Sequence, residues 1–322
     1  MSLAKSLRSG CVVVPNCDSD PTINMDKVQL FLIYLEFSTV DHQYDLALSL
    51  VKPTCQARAK RFHQKEDAWR YLLGKILQHV VVCQTLGSAC NPQPLEFKET
   101  PTGKPYLVGN PSTNLAYFND LQHFPVTTPA LGFNLSHDHS VILLGTRRYS
   151  TASIANEIGV DVTKAKLPTG DTFSTLLESV SIAFTAEELN QLALVQATEQ
   201  AAIDALFQMW TLKEAYVKAL GVGIGFELSR ISFDAEASVL NVDGEVLDRW
   251  ACYSFKLCSP KEEENCNGYL GAVCYRLGEE ELGSLGIVTW LTDTEVQRHI
   301  SIVEASVLLD QMHSLVYSVA EQ

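Results

Sequence analysis

Apolar and polar positions change their spacing several times along the chain, and each change marks an element. Gln29–Phe37, QLFLIYLEF, is a run of bulky apolar residues that predicts a first strand. From Asp67 to Cys83, Trp69, Leu72, Leu73, Ile76 and Val80 recur at three- and four-residue intervals, which predicts a helix with one buried face. Asn91–Asn119 is rich in Pro, Gly, Asn and Thr and reads as loop, with a short strand at Tyr106–Val108. Gly132–Thr146, GFNLSHDHSVILLGT, predicts a strand, a polar turn and a second strand. In Ile158–Val162, IGVDV, strand alternation puts Ile158, Val160 and Val162 on one face and Gly159 and Asp161 on the other. A helix is expected over Thr185–Leu194, with Thr185 as cap and Glu188 at the capping-box position. A longer one runs from Glu199 to Leu220 and stops at Gly221. Beyond Ser229 the chain is strand-like in patches, at Trp250–Leu257 and Gly268–Arg276.

Two helices echo each other. WRYLLGKILQHV from Trp69 and WTLKEAYVKALG from Trp210 are both Trp-led, basic and amphipathic, and each lies between a loop and strand-like segments. The echo suggests two similar halves joined near residue 150. The expected organisation is an N-terminal subdomain over 24–150, a C-terminal subdomain over 151–280, and an appendage over 281–322. The last of these carries one apolar helix near Val303–Val316.

With 322 residues, 46% hydrophobic and 19% charged, the chain can bury one large core or two linked ones. No apolar stretch approaches the roughly 20 residues of a membrane helix. The start, MSLAKSLRSGCVVV, has too short an apolar run for a secretory signal. Its Ser and Lys/Arg content, with no acid before Asp18, leaves a mitochondrial presequence as the alternative, although no long amphipathic helix is evident in it. Nine cysteines, an odd number with no CxxC spacing, read as reduced thiols of a cytoplasmic protein rather than as a disulfide or zinc framework. The net charge of −14 argues against nucleic acid as a partner. Yet Lys52, Arg58, Lys60, Arg61, Lys65, Arg70 and Lys75 face only Glu66 and Asp67 within one short segment. That strip reads either as a solvated helix face or as a dock for a polyanionic ligand or acidic partner.

Three positions carry candidate chemistry. Asp161 places a carboxylate in an apolar strand, which costs several kcal/mol unless a donor, cation or metal compensates; a strand-end Asp bonded to backbone is the plain alternative. Glu214 shares a helix face with Trp210 and Lys218 at i, i+4 and i+8. A Glu214–Lys218 surface pair is the plain reading there, worth about 0.3–0.5 kcal/mol. The otherwise apolar helix and the GVGIG loop after it favour a site. Ser136 and His137 occupy a strand-to-strand turn, where a hydroxyl and an imidazole suit a phosphate oxygen. GVGIG itself closes a helix rather than opening one, so it is not a dinucleotide fingerprint.

The order and spacing of NLSH, GVDV and WTLKEAYVKALGVGIGFEL resemble the Sfp-type 4′-phosphopantetheinyl transferases, and most nearly the animal aminoadipate-semialdehyde dehydrogenase phosphopantetheinyl transferase type. The resemblance spans about Arg58–Phe233. It implies an α+β fold of two similar subdomains, a single-chain pseudodimer with the active site in the cleft between them. It implies an enzyme that moves the 4′-phosphopantetheine arm of coenzyme A onto a serine of an apo carrier protein and releases 3′,5′-ADP. By the same resemblance Asp161 and Glu214 would hold Mg²⁺ with the pyrophosphate, and Lys218 would sit by those phosphates. Asn134, Leu135, Ser136 and His137 would line the coenzyme A site, with Ser136 and His137 near the 3′-phosphate. Arg58, in RAKRFHQKEDA, and Lys104, in TGKP, would be further coenzyme A contacts. Candidate carriers are a fatty-acid synthase domain, a mitochondrial carrier protein or an aminoadipate-type reductase. No membrane and no partner subunit is required.

Two positions depart from the family pattern. Thr163 stands where the bacterial prototype has a second acidic ligand, a place a water can fill because Mg²⁺ commonly keeps several. Glu99 stands where animal enzymes have a basic contact before GKP, with Lys98 one residue away. These are the foothold of a rival reading, a non-enzymatic coenzyme A- or nucleotide-binding scaffold. A plain α+β interaction protein with accidental motifs is the third.

Overall fold

In the computed structural model, which describes residues 28–86, 95–108, 130–149, 157–195, 198–234, 237–258, 268–278 and 287–318, the apolar runs become two mixed layers of strand and helix. The first half contains β1 (Val28–Tyr34), α1 (Val40–Ser49), α2 (Pro53–Ala59), α3 (Lys65–Leu86), β2 (Phe97–Glu99), β3 (Pro105–Leu107) and the hairpin β4 (Ala130–Asp138) and β5 (Val141–Tyr149). The second contains β6 (Ile158–Lys164), α4 (Phe173–Val180), α5 (Ala186–Leu194) and α6 (Glu199–Leu220). It continues through β7 (Ile231–Asp234), β8 (Val239–Val242), β9 (Glu245–Val246), β10 (Trp250–Leu257), β11 (Tyr269–Arg276) and β12 (Ile287–Trp290). The chain ends in α7 (Asp293–His299), β13 (Ile300–Ile302) and α8 (Ala305–Ser318).

The halves repeat one plan. In each, a first strand pairs antiparallel with the last strand of a hairpin, giving β1-β5-β4 in one sheet and β6-β11-β10 in the other. In each, a long helix covers the sheet: α3 buries Trp69, Leu72, Leu73, Ile76 and Leu77, and α6 buries Leu212, Ala215 and Ala219 against Cys252, Ala272 and Cys274. The two Trp-led helices of the sequence are thus the matching helices of the two halves. The fold is α+β, as the resemblance implied.

The sheets meet through a shared apolar layer in which Leu30, Leu32, Val141 and Leu143 pack with Ile158, Val160, Tyr253 and Val273. Beside it β4 approaches β6, and side chains bridge the two strands. Asn134 Oδ1 accepts from the Val160 amide at 2.9 Å, and Asp138 Oδ2 from the Lys164 amide at 2.8 Å. Alternate residues of β4 therefore stitch the halves together, with Ser136 between them.

The stretch after 280, expected as an appendage, is built into both halves. β12 joins the second sheet parallel to β10, and β13 joins the first parallel to β1. Leu308 and Leu309 of α8, 0% and 1% exposed, enter the core beneath α3. Three residues of β13 carry too little pattern to announce a pairing, and an apolar helix does not name its partner. Cys55, Cys83, Cys252, Cys258 and Cys274 are free thiols, whereas Cys11, Cys17, Cys90 and Cys266 lie outside the described residues. Among the described residues no helix is long and apolar enough to cross a membrane.

Candidate active site

Gly159 sets the geometry of the cleft. β6 runs so close to α6 that a Cβ on Gly159 would lie 2.0 Å from the Ala215 carbonyl oxygen and 2.3 Å from the Ala219 nitrogen. Only glycine fits such an approach. The next residue on that face of β6, Asp161, is thereby set against the stripe of α6 that carries Glu214 and Lys218. Lys218 Nζ donates to Asp161 Oδ1 at 2.5 Å and to Ser136 Oγ at 2.9 Å. Ser136 Oγ in turn donates to Asp161 Oδ1 at 2.9 Å. Asp161 is only 6% exposed, and the cation and hydroxyl supply the compensation a buried carboxylate needs.

Glu214 is different. Among the described residues no hydrogen bond or ion pair engages its carboxylate, and the surface pair with Lys218 is not formed because Lys218 reaches across to Asp161. Burial first, and then the charge of Asp161, hold the Glu214 carboxyl above the usual carboxylate range, with Lys218 partly opposing. It faces a cleft of about 860 Å³ whose walls include Thr102, Lys104, Asn134, Leu135, Trp210, Lys218 and Gly223. That size suits a cofactor-sized ligand.

Strand alternation sends Ser136 and His137 to opposite faces of β4. Ser136 is buried in the Asp161 cluster, whereas His137 is exposed. Desolvation, then the charges of Arg70 and Lys218, hold the His137 imidazole below its usual range. Leu135 is half-buried against Gly74 of α3. Lys104 lines the cleft, but its Nζ is turned inward onto the carbonyls of Ala219 and Ile158. Arg58 lies apart, over the Tyr71 ring at 5.3 Å, and lines a second cleft with Arg61 and Phe62. Strand alternation separates Lys98 from Glu99: Glu99 acts electrostatically on Tyr71, whereas Lys98 lies 3.9 Å from Glu96. Thr163 follows Asp161 on the same face of β6 and is half-buried.

One residue of the motif escaped the sequence reading. Lys213 is 0% exposed, and its Nζ donates to Glu188 Oε2 at 2.6 Å and to the Ala183 carbonyl at 2.8 Å. Glu188 also closes the capping box of α5 with Thr185 and accepts from the Phe233 amide at 3.0 Å. The signal was present: Leu206, Met209, Lys213 and Val217 fall on one helical stripe, so a lysine interrupts the buried side. Lys213→Ala would strand a buried carboxylate and is expected to cost about 3–5 kcal/mol, read as a lower midpoint in urea denaturation.

Among the described residues no three His, Cys, Asp or Glu side chains converge as metal ligands. Asp161 and Glu214 offer two hard carboxylates beside an open cleft. This fits Mg²⁺, which is bound through one or two carboxylates and retained waters.

Residues 157–274 match the 4′-phosphopantetheinyl transferase superfamily, and residues 36–148 match the family described as 4′-phosphopantetheinyl transferase, N-terminal. The 4′-phosphopantetheinyl transferase pptA of Paxillus involutus is 33% identical over 251 residues, 77% of this chain and 86% of that protein. The L-aminoadipate-semialdehyde dehydrogenase-phosphopantetheinyl transferase of Xenopus laevis is 28% identical over 197 residues, 61% of this chain and 58% of that protein. The 4′-phosphopantetheinyl transferase Sfp of Bacillus subtilis is 24% identical over 247 residues, 77% of this chain and 92% of that protein. The two family matches fall on the two halves and meet at the cleft. This chain belongs to the 4′-phosphopantetheinyl transferase superfamily. It is a transferase that moves the phosphopantetheine group of coenzyme A onto carrier proteins.

Proposed function

We propose that Asp161, Glu214, Lys218 and Ser136 form the centre of a Mg²⁺-dependent transfer to a carrier serine. The observation that carries this reading is the convergence of Lys218 and Ser136 on Asp161 at 2.5 and 2.9 Å, facing an ionisable Glu214 with no bonded partner among the described residues. The carrier hydroxyl attacks the β-phosphorus of coenzyme A, and the bond to 3′,5′-ADP breaks. Glu214 takes the serine proton, directly or through a water. Lys218 moves from Asp161 to the leaving phosphate and stabilises its charge. When bound by Asp161 and Glu214, Mg²⁺ supplies neutralisation of the pyrophosphate. His137, exposed on the other face of β4 from Ser136, offers a hydrogen bond to the nucleotide end. The exposed cations Arg58, Lys60 and Arg61 suit a phosphate or an acidic carrier surface.

The protein would work as a cytoplasmic monomer, because one chain carries both halves of the cleft. A panel of apo carriers, drawn from fatty-acid synthase, mitochondrial and aminoadipate-type reductase proteins, identifies the acceptor by mass. The expected result is a gain of one phosphopantetheine on at least one of them, abolished by EDTA and restored by Mg²⁺. Calorimetric binding of coenzyme A without mass gain on any carrier would instead favour the non-enzymatic scaffold, for which Thr163 and Glu99 are the footholds.

A further inference from the structure

The turn Thr100–Lys104, part of the first half, closes over the C-terminal end of α6, and the chemistry above uses none of its bonds. Lys104 is 8% exposed, and its Nζ donates to the Ala219 carbonyl at 2.6 Å and the Ile158 carbonyl at 3.2 Å. Ala219 belongs to the last turn of α6, whose carbonyls lack helical partners. Ile158 opens β6. One amine therefore ties the strand of Asp161 to the helix of Glu214 and Lys218. Thr102 Oγ1 adds a bond to the Gly221 carbonyl.

The turn is itself well braced. The Thr100 amide donates to the Lys104 carbonyl at 2.9 Å, the Gly103 amide to the Thr100 carbonyl at 2.8 Å, and the Lys104 amide to Thr100 Oγ1 at 3.0 Å. Gly221 caps α6 at φ 69°, and a Cβ there would lie 2.8 Å from Lys104 Cδ. The lysine stem and the glycine cap are thus fitted to each other.

We propose that Lys104 is a positioning residue whose amine, with Thr102, latches β6 to the end of α6 and so holds Asp161 within reach of Glu214 and Lys218. Its place is behind the reacting groups and not on a phosphate of coenzyme A. Burial draws its pKa down to about 7, with Glu157 opposing, as befits an amine enclosed by protein. The role rests on the transferase reading for its kinetic consequence, but the latch can be observed without transfer.

The test compares wild type with Lys104→Met, which keeps the stem, and Thr102→Val. For Lys104→Met, the calorimetric affinity for coenzyme A is expected to stay within about threefold. Its kcat is expected to fall about 10- to 100-fold as the reacting groups lose alignment. Hydrogen exchange at the last-turn amides of α6 is expected to quicken in both variants. Affinity weakened by about tenfold or more, with kcat and exchange unchanged, overturns the proposal, because it makes Lys104 a ligand contact. If wild type transfers nothing, the transferase reading fails, and exchange alone decides the latch. Faster exchange then supports it and unchanged exchange overturns it. Should Lys104→Met not fold, Thr102→Val, altered at an exposed hydroxyl, decides the latch in the same way from exchange at the Gly221 amide.

Discussion

Glu214→Gln is expected to lower transfer by about 10²-fold or more, because it removes both the base and one metal ligand. The same change is expected to raise the melting temperature at neutral pH. Glu214 has a raised pKa in the folded protein, so its neutral form is favoured by folding and its ionised form is not. The stability this confers is fully present below the ordinary value of 4.5 and is lost as pH rises through the folded value. Glutamine removes that loss. The advantage of the variant should therefore shrink toward pH 4.5, and thermal melts across pH read it directly. A variant that melts earlier than wild type at neutral pH would show that Glu214 supports the fold rather than strains it. Retained transfer would remove Glu214 from the mechanism.

The second large effect belongs to a residue with no side chain. Gly159→Ala places a Cβ 2.0 Å from the Ala215 carbonyl, a backbone atom that cannot swing aside. Overpacking of this kind costs about 1–3 kcal/mol, and more when backbone must move. β6 has to retreat from α6, and Asp161 retreats with it. We expect kcat to fall about 10²-fold together with the urea midpoint, since displacement by an ångström is enough. Gly225→Ala is the control for stability: a Cβ there meets nothing within 4 Å, and its midpoint should match wild type. If Gly159→Ala melts like that control, the close approach of β6 to α6 does not set the site.

Much of this arrangement can be read from the chain. A long helix with one apolar face announces itself, so Lys65–Leu86 and Glu199–Leu220 were legible, the latter to its capping Gly221. The alternation in IGVDV placed Asp161 opposite the apolar face correctly, because strand geometry is local. The helix Val40–Ser49 was missed, since VDHQYDLALS has no sustained apolar stripe, and β7 and β8 are too short to stand out. The pairing of Lys218 was beyond local reasoning. Helical spacing offers it Glu214, and only the approach permitted by Gly159 brings Asp161 nearer. Ser136 and His137 looked like one unit because they are adjacent, yet adjacency in a strand means opposite faces. The role of Lys213 is set by a partner beyond local reasoning, since Glu188 lies a helix away.

β13 and α8 have a consequence for how the molecule is made. Residues 300–318 complete a layer that begins at residue 28, so until they have been synthesised the first half is left with β1 as an open edge and α3 without its contact to α8. An unpaired strand edge is a template for association between chains. Vectorial synthesis thus delivers the halves in the wrong order for independent folding. The first half expressed alone should therefore collect in aggregates unless residues 287–318 are supplied in trans.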